Sequence, residues 1–155
     1  MSQFLFSLST WLHASATILL VGHYLLLALI YLPVLTHEKG GGVVLSAISR
    51  RSRAWLYASL LVFAVTGVHL TVADANYLSL GNFGNPWSIL MLVKHVLVLA
   101  MVALGFWFNA VLRVGPAMSS DVRGKQAIAS FSLYARLMAG IGLIVLLLTA
   151  IAQFA

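Results

Sequence analysis

Five ionisable side chains lie inside long apolar runs of this sequence: His13, His23, His69, Lys94 and His95. Such groups are costly in an apolar span, and a partner, a cavity or a ligand normally offsets the cost. Imidazole nitrogen suits haem iron and copper, and a thioether adds a soft ligand for copper. Met91 and His95 are four residues apart, so they share one face of a helix. Three of the histidines sit at comparable depth. At about 1.5 Å per helical residue, His13 lies about 10 Å, His69 about 6 Å and His95 about 12 Å from the same end of their helices. His23 lies about 15 Å deeper than His13 and is turned away from it.

The chemistry this layer offers is cofactor binding. A b-type haem takes two axial ligands from opposed helices, and His13 and His95 are expected to supply them, with His69 as a substitute. Lys94, near the same level, would pair with a propionate. For copper, Met91 and His95 would bind together with His13 or His69. The plainer reading is that each histidine only hydrogen-bonds between helices, as single intramembrane histidines commonly do. His23 is expected to do no more than hydrogen-bond across the bundle or face a small cavity. His37, beside Glu38, is expected to be solvated, and Arg50, Arg51 and Arg53 to fix topology.

The elements that must position these groups are membrane spans. The 155 residues are 62% hydrophobic and 8% charged, with a mean hydropathy of +1.03. Soluble domains carry roughly 25% charged residues, so the chain belongs to the membrane class. Spanning a bilayer core takes about 20 apolar residues, and four runs qualify, at about 6–35, 54–73, 87–112 and 135–154. The expectation is a single all-α domain, an up-down bundle of four transmembrane helices. The first run is too long, and lacks the basic leader, for a cleavable signal peptide.

Charge sets the expected orientation. Of the nine basic residues, all but Lys94 fall in the stretches 36–53 and 113–126 or at Arg136, while residues 74–86 carry none. The positive-inside rule makes loops 36–53 and 113–126 cytoplasmic and both termini non-cytoplasmic. A net charge of +6 confined to two loops is an orientation signal and not a nucleic-acid surface. The chain has no cysteine, which removes thiolate metal sites, iron–sulfur clusters and covalent haem attachment. Its three acidic residues, Glu38, Asp74 and Asp121, lie in loops or at span ends, so no hydrolytic site or carboxylate proton relay is expected.

Polar stripes mark the faces expected to look inward: Thr10, His13, Thr17, Tyr24 and Tyr31 in the first span, Thr66 and His69 in the second, and Ser88, Met91, His95, Phe106 and Asn109 in the third. Gly67, Gly105, Gly140 and Gly142 would let a backbone or a flat ligand approach closely. Trp11, Trp55, Trp87 and Tyr77 fit an interfacial aromatic belt.

Several segments resemble the copper-resistance protein D (CopD) family of bacterial membrane proteins. They are Trp11-Leu12-His13 leading to Tyr31-Leu32-Pro33, Ser52-Arg53-Ala54 leading to Ala64-Val65-Thr66-Gly67, and the run Leu92-Val93-Lys94-His95-Val96-Leu97-Val98-Leu99 with Asn109 beyond it. A weaker resemblance is to the HemJ type of protoporphyrinogen oxidase, whose first-helix histidine and later lysine would be His13 and Lys94. The first resemblance implies copper handling in a bacterial inner membrane, and the second implies haem b. No Met-rich or Cys-containing copper motif is present, and Gly105-Phe106-Trp107-Phe108 stands where the oxidase has a further histidine. His69 and His95 are extra relative to both patterns and favour a bis-histidine haem. The leading expectation is a b-type cytochrome subunit that exchanges electrons with a quinone or a partner redox protein in a larger membrane complex. The alternatives are a copper-handling protein and a cofactor-free accessory subunit.

Overall fold

The computed structural model describes residues 2–38, 40–79, 81–111 and 122–154, and these form helices and connecting turns. Lys39, Arg113 and Asp121 lie outside the described residues, as do the side chains of Asn109, Arg123 and Lys125. Helix α1 (Ser2–Leu26) runs through a π turn (Leu27–Tyr31) into the short α2 (Leu32–Leu35). Then follow α3 (Gly41–Ala73), α4 (Pro86–Val111) and α5 (Val122–Ile151). Four helical stretches are long and apolar enough to cross a membrane: Gln3–Leu35, Gly41–Ala73, Pro86–Trp107 and Ile128–Ile151.

The π turn has a local cause. Pro33 has no N–H, and in a regular helix its ring would strike the carbonyl of residue 29. The chain widens just before it, so that the Leu32 N–H bonds the Leu27 carbonyl, five residues back. The widened turn places Leu27, Ala28 and Leu32 in the core, each 5% exposed or less.

The sequence reading treated 36–53 as a loop, but the loop is much shorter. Residues 36–38 and Gly40 belong to the turn, and from Gly41 on the stretch is the first three turns of α3. Gly40 takes φ 85°, a left-handed conformation that glycine adopts without a steric cost. At Gly41 a Cβ would run into the Leu35 carbonyl. Beyond them, Gly41, Leu45 and Ser52 recur at helical spacing on the side facing the molecule, while Arg50, Arg51 and Arg53 are exposed. Burial of that side drives the helix, with Arg50 and Arg51 on its outer face and Arg53 at the edge of the inward side.

The main core lies at this end. Leu27, Ala28 and Leu32 meet Leu45 from α3 and Phe131, Tyr134, Ala135, Met138 and Ala139 from α5. Helix α1 packs on both α3 and α5, whereas α4 leans mainly on α5. At the opposite end, the Asn85 side chain accepts a hydrogen bond from the Ser88 N–H at 2.8 Å, capping α4 with Pro86 in its first turn. Outward faces remain apolar, with Ile18, Leu29, Leu61 and Leu99 each about two-thirds exposed or more. Trp11 and Trp55 are exposed as an aromatic belt requires, but Trp87, in the first turn of α4, is buried at 4%.

Candidate functional site

His13 is the anchor of the candidate site. Its ring stacks on Phe63 of α3, with centroids 4.4 Å apart and 24° between planes. Its Nδ1 lies 2.9 Å from the Thr66 hydroxyl. That hydroxyl donates its single hydrogen to the Val62 carbonyl at 2.6 Å, one helical turn back. It is therefore left as an acceptor toward the ring, and His13 donates from Nδ1–H. The proton assignment leaves the lone pair on Nε2, the state in which histidine ligates a metal while its second nitrogen is held by a hydrogen bond. Thr66 is 6% exposed, so water does not compete for this contact.

Gly67 completes the seat. A Cβ there would stand 3.3 Å from the His13 Cε1, so the missing side chain lets the imidazole lie against α3. The Lys94 ammonium, on α4, is close enough for its charge to act on the ring. His13, Phe63, Thr66, Gly67 and Lys94 thus form one neighbourhood built from α1, α3 and α4.

His95 is exposed, and its Nδ1 lies 2.6 Å from the Met91 carbonyl one turn back. A carbonyl only accepts, so here too Nδ1 carries the proton and Nε2 the lone pair. His95 lies about 20° round α4 from Phe106, whose ring stacks on Tyr57 of α3 at 6.1 Å. The His95 flank of α4 is therefore the one that looks toward α3. His69 is also exposed. It lies about 120° round α3 from Tyr57, on the flank turned away from α4. The expected layer of three imidazoles resolves into one inward histidine, one on a flank facing α3 and one pointing elsewhere. Among the described residues no three His, Cys, Asp or Glu side chains converge as a metal-binding group.

The stripes expected to look inward do so in part. Thr17 and Tyr24 follow His13 into the interior, whereas Thr10 is exposed. On α4, Ser88 is buried and Phe106 is 57% exposed. The glycines also differ. Gly142 faces Val21, whose methyls would lie 3.1 and 3.2 Å from an added Cβ. Gly105 faces the Tyr134 hydroxyl at 3.7 Å, and Gly140 has nothing within 4 Å.

A second constellation gathers around His23, with Ser52, Tyr24 and Tyr134 as partners that the sequence did not name. Between the four long helices, toward the basic end, lies a cavity of about 130 Å³. His23 reaches it and sits 3.5 Å from the Ser52 hydroxyl. Tyr24 and Tyr134 meet across it, hydroxyl to hydroxyl at 3.1 Å. His23 thus stands where it was expected, across from a helix α3 hydroxyl and facing a small cavity. The usable signal was the helical spacing of Leu45, Ser49 and Ser52, which carries α3 through the basic stretch and brings its serines to this level.

Comparison with protein-family models, curated proteins and solved structures finds no match for the chain. The functional reading therefore rests on the residues themselves.

Proposed function

We propose that the protein is a small membrane b-type cytochrome, binding haem through His13 and His95 and passing electrons to or from a quinone or a partner redox protein within a larger membrane complex. The observation that carries this reading is the relay from the Val62 carbonyl through the Thr66 hydroxyl to the His13 Nδ1. A core histidine that merely joined two helices needs one hydrogen bond in either tautomer. A ligand needs its second nitrogen fixed as a donor, and His13 has that arrangement. His95 carries its proton on the same nitrogen. The donor set fits haem, which asks the protein for at most two nitrogens, better than a metal ion held by three or four side chains.

Haem, when bound, supplies one-electron chemistry. The chain's own contributions are separate. His13 is oriented by Thr66 and Phe63, Gly67 makes room for the ring, and Lys94 offers the cation that would pair with a propionate. Met91 enters the alternative copper reading as a thioether, but the atom that holds His95 is its backbone carbonyl. The reading places the chain in a bacterial inner membrane as an up-down bundle, with the Arg50, Arg51 and Arg53 end in the cytoplasm and both termini outside.

Iron and copper content of the detergent-purified protein and two variants tests the assignment. About one iron per chain is expected in the wild type, and retained iron is expected in His69→Ala. In His13→Ala the iron should fall below one-tenth. Copper without iron would move the case to metal handling. Wild-type iron in the His13→Ala protein would end the assignment.

A further inference from the structure

The cavity between the four helices has the size and lining of a site for one flat ring. At about 130 Å³ it is close to the roughly 150 Å³ that accepts a benzene ring in a protein interior. Unlike such an apolar void, it carries polar atoms on the α1 and α3 sides. The Ser49 hydroxyl is shielded from solvent and has no hydrogen-bond partner among the described residues. Other helical hydroxyls here, including Thr17, Ser46, Thr66 and Thr71, turn back to a carbonyl of their own helix. Ser49 does not, and a buried hydroxyl left without a partner is destabilising until something supplies one. One turn on, Ser52 donates to the Ser49 carbonyl at 3.3 Å and stands 3.5 Å from His23, and both line the cavity, as does Arg53. The opposite wall, with Met101 and Val102 of α4, is apolar.

The cavity also has a side door. Tyr57 and Phe106, both lining it, stack across the space between α3 and α4 and are 42% and 57% exposed. Because α4 leans on α5, this seam faces lipid. We propose that the cavity is a binding site for the headgroup of a membrane quinone. A six-membered ring would enter between Tyr57 and Phe106, with one carbonyl accepting a hydrogen bond from the Ser49 hydroxyl. Its apolar tail would leave through the same seam. As the electron partner of the cytochrome this site rests on the reading above, but as a binding site it does not.

Titrating the purified full-length protein with a short-tailed benzoquinone, followed by calorimetry, tests this. One quinone per chain is expected. Ser49→Ala should raise the Kd about five- to tenfold, the worth of one lost hydrogen bond. Val102→Phe, which fills the cavity with an apolar ring, should abolish binding while the thermal midpoint stays within a few degrees. His13→Ala should bind quinone as the wild type does, which separates this site from the haem reading. Haem-loaded wild type without quinone binding would overturn this inference alone. Affinity unchanged in both Ser49→Ala and Val102→Phe would overturn it too, as would displacement of the quinone by equimolar anionic phospholipid.

Discussion

At the scale of single residues, the account turns on which nitrogen of His13 carries its proton. Burial alone would leave that open. The 2.6 Å bond that commits the Thr66 hydrogen to Val62 decides it, because the hydroxyl then has only lone pairs to offer the ring. Thr66→Val keeps the shape and removes the acceptor. The expected result is a 10- to 100-fold weaker hold on haem, the usual cost of losing the partner behind a ligating histidine. It is measured as the rate of haem transfer to a soluble haem acceptor. Thr66→Ser, which keeps the hydroxyl, should restore most of the affinity. The sequence showed His13 and Thr66 as polar residues on inward faces, and both are there. It could not show that they touch, since 53 residues separate them. Nor could it separate His69 from Thr66. Three residues along a helix is only about 60° round its axis, yet that angle takes one side chain inside and leaves the other exposed.

At the scale of elements, apolar length made all four spans visible, because a run of that length reads the same whatever its neighbours do. Ends and irregularities were less visible. The basic stretch 41–53 looks like a loop by charge, but its inward residues recur at helical spacing and α3 continues through it. The π turn depends on how Pro33 is accommodated, and a kink would have served as well. Small residues were legible only as a class. Gly142 lies against Val21, whereas Gly140 faces open space, so the two should respond differently to a side chain. Gly142→Val is expected to cost about 1–3 kcal/mol through overpacking, and Gly140→Ala to change stability by no more than about 0.5 kcal/mol. Thermal unfolding of the two variants in the same detergent makes the comparison. Equal losses would place the α1–α5 contact elsewhere.

At the scale of the whole molecule, composition alone identified a membrane protein, since no soluble fold could carry so few charges over so many apolar residues. The arrangement of the helices was not legible, because the polar stripes point inward without saying which helices meet, and that is set by contacts that form only in the bundle. What emerged is a molecule with two polar levels. One is built around His13 and the other around the cavity near His23, with the larger apolar core beside the second. The charge bias adds an orientation. A reporter active only outside the cytoplasm should work when fused to either terminus and fail when inserted near Gly40. The reverse pattern would turn the molecule over and place the His13 level toward the cytoplasm.

If the His13 level holds haem, a reduced-minus-oxidised visible spectrum of the purified wild-type protein will show it. The account predicts a sharp reduced alpha band typical of low-spin b-type haem, lost in His13→Ala and weakened or shifted in His95→Ala. A featureless spectrum, from protein expressed with ample haem and never exposed to stripping conditions, would contradict it.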